Sequence, residues 1–158
     1  MKVFAISDLH LSFAAPYDEA DPARNPLTKP MDVFGPAWRD YPQRLEANWR
    51  AAVSPEDTVL LPGDLSWAMT LEEAMYDVDY LHRLPGRKVL IKGNHDYWWQ
   101  SLSKVRAALP GEMEPLQHSA VQVGDWAVCG TRGWVPPGHP DYRESEDQKI
   151  YQRELLRL

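Results

Sequence analysis

Three short apolar runs constrain the fold of this 158-residue chain more than any other feature: Val3-Phe4-Ala5-Ile6, Thr58-Val59-Leu60-Leu61 and Val89-Leu90-Ile91. None alternates with polar residues, so each suits a strand covered on both faces. The first strand is predicted over residues 2–7 and the third from Lys88 to Ile91. The segments between them read as helices. Residues 40–53 place Leu45, Trp49, Ala52 and Val53 at helical spacing and end at Ser54-Pro55, with Trp49 in the core. Leu71 to Leu84 opens with Glu72 and Glu73, which complement the helix dipole, and stops at Pro85-Gly86. Strands alternating with helices and joined by right-handed crossovers make one parallel sheet, an α/β fold. The ends of its strands therefore lie along one edge, where open parallel sheets bind ligands.

Each run delivers polar residues to that edge. Asp8-Leu9-His10 follows the first, Pro62-Gly63-Asp64 the second and Gly93-Asn94-His95-Asp96 the third. On extended chain Asp8 and His10 would point the same way and could reach one ion. Taken singly, each motif is equally an ordinary polar turn. Together they bring two carboxylates, two imidazoles and an amide to one place, a mixed N/O set that suits Mn, Fe or Zn. A carboxylate such as Asp64 can bridge two cations about 4 Å apart, an arrangement that activates water and clamps a phosphoryl group.

Composition limits the partners. At 44% hydrophobic and 25% charged residues, the chain is expected to form a single domain, residues 1–158, with its own core. The net charge of −6, with no basic run, argues against a broad nucleic-acid surface and leaves nucleic acid a place only as a nucleotide substrate. Cys129 is the one cysteine, so no intrachain disulfide forms, and a reducing, cytoplasmic location is expected. No membrane association is expected, because the first apolar run ends at Asp8, too short for a span or a signal-peptide core.

The remaining segments are read as follows. A proline-rich loop insertion, about residues 14–36, directly follows the Asp8/His10 pair and either overhangs the site or is a solvated insertion. Ser101 to Leu109 is predicted helical. Ala120–Val123 and Trp126–Cys129 are predicted to form a hairpin about Gly124-Asp125. A last helix is predicted to start at a capping box, Ser145-Glu146-Asp147-Gln148, with Tyr151, Leu155 and Leu158 on its apolar face. Asp77 and Asp79 read as a solvated acidic face rather than metal ligands. Arg132, between glycines, is either a bidentate phosphate ligand or a surface ion pair. Trp67, Tyr97, Trp98 and Trp99 either pack on the sheet or wall a pocket, and His118 and His139 read as surface histidines.

In this order and setting, D-L-H, G-D and G-N-H-D resemble the calcineurin-like metallophosphoesterases over Met1 to about Trp134, and the runs GDLSWAM, GNHDYWW and GTRGW look like a bacterial branch of small phosphohydrolases. The resemblance implies a metallophosphoesterase-like β-sandwich flanked by helices (αββα) and two divalent metal ions. In it, Asp8 and His10 bind the first metal, Asp64 bridges and Asn94 binds the second. A metal-bridging hydroxide is the nucleophile and His95 the general acid or transition-state stabiliser. Asn94 and Arg132 are candidate substrate contacts, and Asp96 orients its loop. The implied substrate is a small phosphate mono- or diester. Trp67 and Ala68 occupy the places of an Asp-Arg pair found in the protein serine/threonine phosphatases, which argues against that activity. The family's later histidines, including a Gly-His-x-His, have no counterpart after His95. The chain is therefore expected to be an N-terminal portion, incomplete at the C-terminus and weakly active or inactive, with an exposed sheet face or a second copy covering it. The alternative is a non-catalytic metal- or phosphate-binding module, or a subunit completed by a partner chain.

Overall fold

The computed structural model describes all residues from Met1 to Leu158. Four parallel strands, β1 (Val3–Ala5), β2 (Thr58–Pro62), β3 (Arg87–Ile91) and β4 (Met113–Leu116), lie side by side in chain order. Helices α1 (Tyr41–Ala52), α2 (Leu71–His82) and α3 (Leu102–Ala108) make the crossovers. An antiparallel hairpin of β5 (Ser119–Val123) and β6 (Trp126–Gly130) follows, and α4 (Glu144–Leu156) comes last. The family fold expected from the motifs is thus present as a mixed α/β domain. β4 escaped the sequence reading because Glu114 and Pro115 break its apolar pattern. Pro115 is tolerated there because β4 is an edge strand, with no ladder on its outer side.

Register separates the two faces of the sheet. Phe4 lies opposite Val59, Val59 opposite Lys88 and Lys88 opposite Met113. Side chains two residues apart share a face, so Phe4, Val59, Leu61, Leu90 and Met113 all point to one side. There they join a cluster of 22 buried residues that includes Trp49, Val78, Leu81 and Val105 from the helices. The buried lysine on this face, Lys88, donates to the carbonyl of Leu84 and so satisfies the chain end beyond α2. Burial pulls its pKa down to about 8. α2 starts at a capping box in which Thr70 and Glu73 satisfy each other's backbone N–H groups.

The other face is covered sparingly. Val89 and Leu116 pack against Val121 and Val123 of the hairpin, a cluster of four buried residues. A Cβ at Gly130 would lie 2.5 Å from the Ile91 side chain, so a glycine is what lets β6 settle on the end of β3. Toward β1 the same face is open: Val3 is 45% and Trp126 73% exposed. No helix is long and apolar enough to cross a membrane.

Two expectations for the C-terminal helix are corrected. The helix begins at Glu144 with no Ser145 capping box; instead Asp147 accepts the backbone N–H of Arg143 at 2.7 Å and the indole N–H of Trp134 at 2.8 Å. Its buried residue is Glu154, while Leu155 and Leu158 are exposed. A polar anchor, not an apolar stripe, docks this helix.

Candidate metal centre

β1 ends at Ala5, short of the predicted Ser7, because the chain beyond it leaves the extended conformation. Asp8 (φ 57°) and His10 (φ 46°) both sit in the left-handed region, and so does Asp64 (φ 53°) after β2. Each such conformation costs a non-glycine residue about 1–2 kcal/mol, and strain of this kind concentrates at functional sites. The two loops hold it by pairing with each other. Asp8 N–H donates to Gly63 O, His10 N–H to Asp64 O and Leu11 N–H to Leu65 O. The extended-chain argument for Asp8 and His10 is therefore corrected in its cause. The two side chains do meet, Nε2 of His10 lying 3.8 Å from Oδ1 of Asp8, but through two left-handed turns.

The loop after β3 closes against the same pair of glycines that the motifs contain. A Cβ on Gly63 would come within 2.7 Å of the Gly93 Cα, and one on Gly93 within 2.0 Å of Oδ1 of Asp64. Only glycines allow this approach. Asp96 fastens the assembly. Its fully buried carboxylate accepts the N–H groups of Asp64 (2.9 Å), Leu65 (2.9 Å), Ser66 (3.2 Å) and Gly93 (2.7 Å) and the Trp98 indole N–H (2.9 Å). Burial pushes the Asp96 pKa up, and those hydrogen bonds pull against it. Asp96 thus ties the second and third motifs together, the supporting part expected of it.

Three side chains converge above this base. Ligand atoms of His10, Asp64 and His95 all lie within 4.8 Å of one another. Oδ1 of Asp64 accepts the backbone N–H of His95, and Oδ2 accepts from its Nδ1, both at 2.9 Å. Asp8 reaches His10 from outside this trio, and its side chain is largely exposed. The Asn94 side chain is exposed too, its amide nitrogen 3.1 Å from Nδ1 of His95. One polar atom in the trio is unsatisfied: Nδ1 of His10 is buried without a hydrogen-bond partner. An orphaned imidazole nitrogen costs about 1–3 kcal/mol, and the ring that carries it belongs to the same cluster as a carboxylate and a second imidazole. The donor set fits a divalent cation of the Mn, Fe or Zn kind.

The sequence matches the family model for calcineurin-like phosphoesterases over residues 1–157. The chain belongs to the calcineurin-like phosphoesterase family. Membership implies, in general terms, a metal-dependent phosphoester hydrolase, in keeping with the His/Asp/His cluster. No curated protein matches significantly. Among solved structures, the protein of unknown function AQ665 from Aquifex aeolicus is similar at 19% identity, with a TM-score of 0.47, over 96% of this chain and 70% of that one.

In this calcineurin-like phosphoesterase Asp64, one member of the cluster, lines a cleft of about 590 Å³. Asp8, Asn94 and Arg132 line it with Asp64, brought together from the loops after β1, β2, β3 and β6, whereas His10 and His95 are not part of its lining. Arg132 makes no ion pair, and its guanidinium lies 4.5 Å from the centre of the Trp134 ring. On the other side, Trp67 stacks on His10 with ring centres 4.6 Å apart. The proline-rich loop reaches this residue: Lys29 lies over the Trp67 ring and Met31 Sδ accepts its indole N–H. The loop therefore reaches Trp67, beside His10, but none of its residues lines the cleft. Trp98 and Trp99 are packing residues, whereas Tyr97 is 57% exposed.

Asp77 departs from its expected place. It is buried rather than part of a solvated face, and it accepts the Phe13 N–H at 2.8 Å and the Ser66 hydroxyl. In so doing it links the loops after β1 and β2. The helical period gave no sign of this, because the partners come from loops. His118 and His139 lie away from the cluster, near Glu154 (3.5 Å) and Asp141 (3.7 Å) respectively.

Proposed function

We propose that the chain hydrolyses a small phosphate mono- or diester in the cleft at the C-terminal ends of β1, β2 and β3. The observation that carries this reading is the His10, Asp64 and His95 cluster with its unpartnered buried imidazole nitrogen, held on strained loops that Asp96 fastens. Asp8, His10, Asp64 and Asn94 are assigned as the residues that hold two divalent cations, Mn, Fe or Zn. Cations bound there supply Lewis acidity to the phosphoryl oxygens and lower the pKa of the attacking water. Nδ1 of His95 is turned to Asp64, which orients the ring and leaves Nε2 to give a proton to the leaving oxygen. Trp67 holds the His10 ring in place by stacking.

The test is turnover of p-nitrophenyl phosphate and of its bis-aryl diester by the Mn-loaded chain, with metal content measured alongside. His95→Ala is expected to lower turnover about 10²–10⁴-fold while keeping Mn. Asp64→Ala is expected to lose both. Equal metal loss in the two variants would contradict the assigned roles. A second reading, a metal- or phosphate-binding module without catalysis, draws on the position of His118 and His139, which supply no further imidazole to the cluster. Stoichiometric Mn binding with no hydrolysis of either ester would favour it.

A further inference from the structure

Beside the metal centre lies a second cleft, of about 170 Å³, across a wall that Ile91, Lys92 and Arg132 share between the two. α4 forms part of its lining with Arg153, Glu154 and Arg157. Four cations, Lys92, Arg132, Arg153 and Arg157, therefore face one small space that holds a single carboxylate. In a chain of net charge −6 this is the reverse of the average. Glu154 does not balance them. Its buried carboxylate already accepts the Thr131 hydroxyl, pairs with Arg157 at 3.0 Å, and lies 3.5 Å from both Arg153 and His118. Lys92 and Arg132 pair with no carboxylate at all. The guanidinium of Arg132 lies 4.5 Å from the centre of the Trp134 ring, a contact that leaves N–H donors for an anion. An anchor for α4 requires one cation on Glu154, not four in the cleft. The surplus charge suits an anionic ligand.

We propose that this cleft takes a second phosphate of the substrate, so that the preferred substrate is a small bisphosphorylated molecule. This deepens the phosphoesterase reading above and rests on it. The scissile phosphate would lie at Asp8, Asp64 and Asn94, and the other at Lys92, Arg132, Arg153 and Arg157. Water adds to the scissile phosphorus, the P–O ester bond breaks and the leaving oxygen takes a proton. The released alcohol keeps the second phosphate in the arginine cleft.

The experiment is titration calorimetry of inorganic phosphate into the chelator-treated chain, where metal contributes nothing. One site is expected in the wild type. Replacing Arg153 and Arg157 by Gln together should weaken it at least about tenfold, the loss of a charge-assisted hydrogen bond or two. Asp64→Ala should leave it unchanged. Arg153→Gln alone, at an exposed side chain, guards against loss of folding in the double variant and should also weaken binding. Absence of phosphate binding, or binding indifferent to both arginine changes, overturns the proposal. The metal reading fails separately: a chain that binds phosphate through the arginines but takes up no Mn retains this subsite and loses the phosphoesterase assignment. With Mn present, Arg153→Gln should raise KM for a bisphosphate by a larger factor than it raises KM for p-nitrophenyl phosphate; equal changes for the two substrates count against the subsite.

Discussion

The two faces of the parallel sheet hold two kinds of structure. One face carries the 22-residue cluster under α1, α2 and α3, and the other has four buried residues beneath the β5–β6 hairpin. The loops with Asp8, His10, Asp64 and His95 rise from strands braced by the larger cluster, and Asp96 and Asp77 accept backbone N–H groups in their interior. The region after β4 is attached by a small apolar patch, and within it polar anchors, Glu154 on Thr131 and Asp147 on Trp134, tie α4 to the loop after β6. Residues that must be held against strain therefore lie over the deep core. Residues that present charge to a ligand, Arg132 and Arg153, lie over the shallow one.

Asp96→Ala should produce the largest break in this arrangement. Five N–H donors, four of them buried, lose their acceptor at once, and each buried donor left unsatisfied costs about 1–3 kcal/mol. The expected result is a large drop in the thermal midpoint with loss of Mn binding, because the loops bearing Asp64 and His95 are no longer tied. A variant that melts like the wild type would show that the loops hold their conformation without the hub.

Asp77 supplies a second test on the same side, through pH. Burial pushes its pKa up to about 7, although the Ser66 hydroxyl and Phe13 N–H pull the other way. In the unfolded chain a carboxyl titrates near its ordinary value of about 3.9. Between these values the folded state holds the extra proton, so stability falls as pH rises through the window from about 4 to 7. Asp77→Asn can still accept the Phe13 N–H and can offer its amide to Ser66, and it does not ionise. Its stability should vary less with pH across that window, measured by urea unfolding at pH 5 and pH 8, and its advantage over the wild type should be greater at pH 8. Parallel curves for the two proteins would place the pH dependence elsewhere.

What could be read in advance follows the same division. The runs ending at Ile6, Leu61 and Ile91, and the helices carrying Trp49 and Val78, obey periodicity because they face the deep core, and the motif order placed Asp8, Asp64 and Asn94 at one edge. The left-handed turns at Asp8, His10 and Asp64 were not legible, since Asp and His enter that region more often than most residues but still rarely, and cross-loop hydrogen bonds hold them there. Asp77 was misjudged and Glu154 passed over for one reason: a carboxylate on a helix reads as solvated unless its loop partners, Phe13 and Ser66 in one case and Thr131 in the other, are known. β4 was hidden by Pro115, which only an edge position excuses.

The smallest expected effect is a difference between two like changes, and it probes the comparison most directly. Leu90 and Leu116 are both almost fully buried, at 0% and 1% exposure, the first in the deep cluster and the second in the shallow one. Leu→Ala in a core costs about 2–5 kcal/mol, and the spread reflects how far the surroundings can collapse into the space left behind. Leu90 is enclosed by α-helices and neighbouring strands, which cannot follow. Leu116 lies on the edge strand beside a two-stranded hairpin, which can move. Leu90→Ala should therefore fall toward the upper end of that range and Leu116→Ala toward the lower, a gap of about 1–2 kcal/mol in urea unfolding. Hydrogen exchange should place the Leu116→Ala loss in β5 and β6 and leave the amides of Asp64, Leu65 and Ser66 protected, because their acceptor, Asp96, is untouched. If both substitutions cost the same and deprotect the same amides, the two faces form one cooperative unit, and the shallow face contributes as much to holding the metal centre as the deep one.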